Sequence, residues 1–134
     1  MYQTTSPKTN PKTKDIYIEC ADRNAFLSYL KQNPGIIIFK FGASWCKPCK
    51  KIKDIVENHF AYTSDNVICF DLDIDEYPDV YAYLKSKKQV NGVPSLLAYN
   101  KDNITFASDM SHSGSDLNTL EQFFENINIQ STKL

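Results

Sequence analysis

A chain of 134 residues, 42% hydrophobic and 13% aromatic, carries apolar material for one domain with a single core rather than two domains. With 15 basic and 16 acidic side chains the formal charge is -1, which excludes the strong charge bias expected of a nucleic-acid or membrane-surface binder. No stretch reaches the roughly 20 apolar residues that cross a bilayer.

The first residues, MYQTTSPKTNPKTK, hold two prolines, four threonines and three lysines, with almost nothing to bury. Residues 1–14 are therefore expected to form a flexible tail, and residues 15–134 the folded domain. The tail also lacks the apolar centre of an export signal, so a cytoplasmic protein is expected, acting as a monomer. DIYIEC reads as a strand. ADRNAFLSYLKQN then sets Phe26, Leu27 and Leu30 on one helical face before the Asn33-Pro34-Gly35 breaker. GIIIFKF is apolar on both alternating faces apart from Lys40, the pattern of a central strand covered by helices on each side. A helix from about Cys46 to Phe60 follows, with Ile52, Ile55, Val56, His59 and Phe60 spaced for burial, and then the strand VICFDLD.

Asp75 stands where it can cap the next helix, EYPDVYAYLKSKK, on which Val80 and Leu84 lie one turn apart. SLLAY and NITFASDM predict a hairpin across an Asn100 to Asn103 turn. SGSDLNTLEQFFENI closes the chain as an amphipathic helix through Leu117, Leu120, Phe123, Phe124 and Ile127. The order βαβαβαββα gives an α/β fold: a mixed sheet between two layers of helices, because parallel crossovers must lie on the faces.

Of the four cysteines, Cys20 and Cys69 fall in predicted strands, where small buried thiols are usually inert. Cys46 and Cys49 are different. If Cys46 caps its helix, Lys47, Pro48 and Cys49 make the first turn, and Pro48 gives up an amide that has no helical partner there. The Cys46 sulfur then meets free backbone N–H groups, notably that of Cys49, and these favour a thiolate. The spacing also brings the two thiols within bonding range. Half a zinc site is the competing reading, but Cys20, Cys69, His59 and His112 stand alone, without a second close pair. An iron–sulfur cluster shared by two chains needs only two cysteines from each and stays open on the residues alone.

FGASWCKPCK, with Val93-Pro94 in NGVPSLLAY further on, resembles the thioredoxin family, in which a W-C-x-P-C motif faces a cis-proline loop. The resemblance runs from about Asp15 to Ile127 and implies the thioredoxin fold and disulfide-reductase activity. It implies that Cys46 attacks and Cys49 resolves, and that Trp45 gives apolar cover beside the sulfur. Pro94 would be cis, with the backbone of Val93 exposed to an extended substrate segment. Partners would be disulfide-containing proteins and a recycling reductase of the thioredoxin-reductase kind, with no cofactor and no metal. A glutathione-linked enzyme fits less well, because that pattern sets proline directly after the first cysteine. A binding module that keeps the fold without the chemistry is the other alternative.

The chain also departs from the family. Lys40 stands where thioredoxins usually keep a buried aspartate, and Asp71 where bacterial members often have lysine, so the two charges are exchanged. A buried ammonium without a partner costs several kcal/mol, which makes Asp71 the expected partner. Asp71 would act through water as base for Cys49, and Lys40 would stabilise the thiolate. The other reading has Lys40 merely extending its stem to solvent. Lys47 replaces a glycine, and Lys50, Lys51 and Lys53 follow. Cations in a first helical turn oppose the macrodipole, so this cluster either lowers the Cys46 pKa and draws acidic partners or is a solvated face. Asp54 replaces a helix-kinking proline, and the family's usual glycine near the end of the last strand is missing, with Met110, Ser111 and His112 close by, so a straighter helix and a narrower or differently shaped substrate groove are expected. Tyr77, Tyr81 and Tyr83 read as packing and surface residues.

Overall fold

The isoleucines and phenylalanines of GIIIFKF form the middle strand because both of their faces are covered. Every residue of β2 (Ile36–Gly42) is buried, Lys40 included. The computed structural model describes residues 14–133. The tail expected over residues 1–14 thus lies outside the described residues except at Lys14. That residue is anchored: its Nζ donates to Thr63 Oγ1 at 2.8 Å, to the Ser64 carbonyl at 2.6 Å and to the Val67 carbonyl.

Around β2 are arranged β1 (Ile16–Tyr17), β3 (Val67–Asp73), β4 (Ser95–Asn100) and β5 (Met110–Ser113), in the order β1-β3-β2-β4-β5. β1 and β2 pair parallel with β3, whereas β4 runs antiparallel to both β2 and β5. The mixed sheet expected from the element order is therefore present. Side chains alternate across it. Ile36 and Ile38 of β2, Val67 and Cys69 of β3, and Leu96 and Ala98 of β4 pack with Ile52, Val56 and Phe60 of α2 (Lys47–Ala61) and Leu120, Phe124 and Ile127 of α4 (Leu117–Ser131). On the other face Ile37, Phe39, Phe41, Phe70 and Tyr99 meet Phe26 and Leu30 of α1 (Arg23–Lys31) and Val80 and Leu84 of α3 (Pro78–Ser86). By the same alternation Lys40 and Asp71 share the α2 face, towards the strand ends where α2 begins.

Four local expectations are corrected. Asp75 does not cap α3. Proline at position 78 opens that helix, so the cap position falls to Tyr77, which makes no side-chain cap bond. The hairpin is longer and its second strand later than NITFASDM suggests. Asn103 Oδ1 accepts from the Thr105 amide at 3.0 Å and Asn103 Nδ2 donates to the Ala107 carbonyl at 2.9 Å, so local bonds replace a ladder until Met110. A glycine does follow the last strand: Gly114, at φ +86°, donates its N–H to the Pro94 carbonyl at 3.0 Å. Leu117, expected on the buried face of α4, is 42% exposed in the first turn, whereas the cap is Asp116, which accepts from the Thr119 amide at 3.1 Å.

Candidate active site

Cys46 is the N-cap of α2, with extended backbone at φ -90° and ψ 110°. Its Sγ accepts the N–H of Cys49 at 3.2 Å, and its carbonyl accepts that of Lys50 at 3.3 Å. Proline in the first turn leaves no orphan amide at its own position, and of the free donors of the helix end it is the Cys49 amide that reaches the sulfur. Cys46 and Cys49 are joined as a disulfide, their Cα atoms 5.3 Å apart. Both residues are nearly covered, at 4% and 6% exposure, so exposure does not tell them apart. Their neighbours do.

Cys46 Sγ lies 3.5 Å from the carbonyl oxygen of Val93, and the Val93-Pro94 peptide bond is cis. The loop between α3 and β4 thus brings Val93, with Pro94 beside it, to Cys46. Trp45, beside it, is 64% exposed, and its Nε1 donates to Asp75 Oδ2 at 3.0 Å. Asp75, expected at a helix cap, instead ties the cysteine loop to the turn after β3. Lys47 and Pro48 are exposed at the rim.

Cys49 faces inward. A Cβ placed on Gly42, the last residue of β2, would lie 3.6 Å from Cys49 Sγ, so the strand end passes directly against the second sulfur. Below it opens a cleft of about 710 Å³ whose lining includes Cys49, Gly42, Lys40, Asp71, Leu72 and Tyr77. Lys40 and Asp71 sit opposite one another in the β2–β3 register. Lys40 Nζ stands 3.4 and 3.5 Å from the two Asp71 carboxylate oxygens, with the lysine side chain 5% and the aspartate 27% exposed. The stem does not carry the ammonium to open solvent; it ends on its partner at the cleft wall.

Lys53 pairs with Glu57 at 3.3 Å along α2. His59 packs flat on Phe124, ring centroids 4.4 Å apart, and bonds Glu121 at 3.1 Å, which accounts for it structurally. His112 is buried in β5 with Nε2 donating to the Gly114 carbonyl at 3.0 Å, which accounts for it structurally. Two site neighbours escaped the sequence. Gly42 carries no motif of its own, and Tyr81 accepts the Gly92 N–H at 2.7 Å from another element, a pairing that linear spacing cannot reveal.

Burial pushes the Cys20 thiol up to about 12 with help from Asp22, and the Cys69 thiol up to about 11, partly offset by Lys14 and a hydrogen bond from Thr63. Both remain free thiols. In the native, reduced protein, iodoacetamide at pH 8 is expected to alkylate only the Cys46–Cys49 pair, with Cys20 and Cys69 labelled after unfolding; peptide mapping that finds either in the native state refutes this. The two thiols hold their protons in the folded chain above the free value of 9.0, so their contribution to stability is intact below that pH. It is lost as pH climbs through about 11 and about 12.

A disulfide capping a helix, a facing cis-proline loop and a sheet with helices on both faces define a thiol–disulfide oxidoreductase. The family model Thioredoxin matches residues 17–126, and the chain belongs to the thioredoxin family, whose members are protein-disulfide reductases. It is similar to thioredoxin 3 of Plasmodium falciparum, 28% identical over 128 residues that make up 94% of this chain and 67% of that one. It is also similar to a bifunctional thioredoxin reductase/thioredoxin of Mycobacterium leprae, 25% identical over 68% of this chain and 19% of that protein. The crystal structure of a Plasmodium falciparum thioredoxin superposes with a TM-score of 0.63 at 25% identity, covering 86% of this chain and 88% of that one.

Proposed function

We propose that Cys46 is the attacking and Cys49 the resolving thiol of a monomeric, cytoplasmic electron carrier that reduces protein disulfides and is recharged by a separate reductase. The observation that carries this assignment is the Cys46 sulfur at the helix cap, accepting the Cys49 amide and facing the Val93 carbonyl. Free buried thiols at Cys20 and Cys69 suit a reducing compartment. The Mycobacterium leprae relative, whose name joins reductase and thioredoxin in one chain, supports the recycling partner.

The chemistry is two exchanges. Cys46 thiolate, favoured by the helix end and by Lys47 beside it, attacks one sulfur of the substrate disulfide. That bond breaks, a Cys46–substrate disulfide forms, and the departing thiolate takes a proton from water. Cys49 then loses its proton and attacks Cys46 Sγ, releasing the second substrate thiol and leaving the Cys46–Cys49 bond. Two electrons have passed to the substrate; the reductase returns two electrons and two protons. Asp71 takes the Cys49 proton through water in the cleft, and Lys40 stabilises the thiolate that forms. Trp45 offers an apolar face to the segment around the substrate disulfide, Pro94 holds the loop open, and the Val93 backbone pairs with that segment as an added strand would.

Insulin reduction driven by dithiothreitol tests the function: the protein accelerates it well above the dithiothreitol background, whereas a binding module leaves the background rate unchanged. In the same assay, an acidic protein disulfide should lose kcat/KM with added salt if Lys47 and Lys50 draw it in, because the screening length shrinks from about 10 Å at 0.1 M to about 3 Å at 1 M. A flat salt profile assigns the lysines to a solvated face.

A further inference from the structure

We propose that Tyr81 is a positioning residue for substrate recognition, its hydroxyl holding the loop that presents Val93 to the substrate main chain. The inference rests on the substrate pairing at Val93 set out above. Tyr81 stands half-buried on α3, its ring edge-on to Phe41 at 6.0 Å, next to the Gly42 that meets Cys49. Phenylalanine would serve that packing equally well. What the ring alone does not explain is the hydroxyl, whose oxygen accepts the Gly92 N–H at 2.7 Å.

The loop is pinned on both sides of Val93. Gly92, at φ +108°, adopts a conformation that other residues avoid, and its carbonyl accepts Ser95 Oγ at 2.8 Å. After Val93, the Pro94 carbonyl accepts the Gly114 N–H at 3.0 Å. Between these anchors the Val93 N–H and C=O have no backbone hydrogen-bond partner among the described residues; the C=O faces Cys46 Sγ at 3.5 Å, so the main chain an incoming strand would pair with lies at the attacking sulfur. Backbone bonds such as Gln89 N–H to the Leu84 carbonyl hold the start of the loop to α3, and Tyr81 is the α3 side chain that reaches its far end at Gly92. Gly92 is exposed, so water can satisfy its N–H if the hydroxyl is removed, and the fold loses little. What is lost is restraint: an unpinned loop must be ordered when substrate binds, and that entropy is charged to binding rather than to the chemical step.

The test is Tyr81→Phe, with folding verified by fluorescence and steady-state insulin reduction measured with dithiothreitol. KM for insulin is expected to rise about three- to ten-fold, the span of one neutral hydrogen bond, while kcat moves much less. Hydrogen exchange at the Gly92 amide should quicken in the variant. A small aromatic disulfide offers no main chain to Val93 and should lose less kcat/KM than insulin. Unchanged KM, a fall in kcat at constant KM, or unaltered Gly92 exchange each overturns the assignment. Failure of the unmodified protein to reduce insulin would instead refute the function itself, so the two outcomes are separable.

Discussion

Cys46→Ser reduces insulin no faster than the dithiothreitol background, while Cys49→Ser stops after one exchange with substrate held on Cys46. The asymmetry follows from surroundings rather than from exposure. Cys46 Sγ accepts the Cys49 amide at the head of α2 and lies 3.5 Å from Val93, where a substrate strand would lie. Cys49 looks instead towards Gly42 and the cleft that holds Lys40 and Asp71. Serine at 46 keeps the cap acceptor but has no thiolate to offer at neutral pH, so the helix survives and the chemistry does not. Serine at 49 leaves the first attack intact and removes the second. Intact-mass measurement of the Cys49→Ser protein after exposure to oxidised insulin should show the adduct, and it should vanish with dithiothreitol. Residual turnover by Cys46→Ser, or a substrate adduct on Cys49 of that variant with none on Cys46 of Cys49→Ser, would reverse the assignment.

Asp71→Asn is expected to cost about 2 to 3 kcal/mol of unfolding free energy, below the full range for breaking a buried pair because the aspartate side chain is 27% exposed. The cost arises because Lys40, 5% exposed, is left with its charge and without a counter-charge. Replacing both partners, as Lys40→Met with Asp71→Leu, should recover most of that loss, since apolar groups of similar volume need no partner there. Denaturant titration of the two variants measures this; equal stability in Asp71→Asn and the parent would place Lys40 in contact with solvent. A second readout separates stability from chemistry. If Asp71 takes the Cys49 proton, the Asn variant resolves the mixed disulfide slowly in single-turnover mixing and lets it accumulate, whereas unchanged kinetics would leave Asp71 with a structural role alone.

Much of the fold was legible because it rests on local patterns. The near-continuous apolar run of GIIIFKF and the helical spacing of Ile52, Val56 and Phe60 describe the faces that β2 and α2 bury. Cys46 as cap and proline in the first turn also follow from chain-local chemistry, because the unpaired amides of a helix start lie within three residues of the cap. Where reading failed, a nearby side chain competed with the expected pattern. Pro78 moved the start of α3 past Asp75, and the Asn103 turn bonds delayed β5 until Met110. The exchanged charges were legible as a pair only because Lys40 and Asp71 fall at matching positions of two strands already expected to be neighbours.

The chain alone thus determined which two cysteines meet at the head of α2, where the central strand lies and that a lysine had entered it, since each of these depends on neighbours within a turn or on strand alternation. Tertiary structure alone decided that Trp45 is held by Asp75, that Gly42 presses on Cys49, and that Tyr81 pins Gly92. Those contacts join residues from separate elements across the crossovers of the sheet. Their existence depends on how layers stack and on reach measured in ångströms, and neither is written in the spacing of letters along a strand or helix.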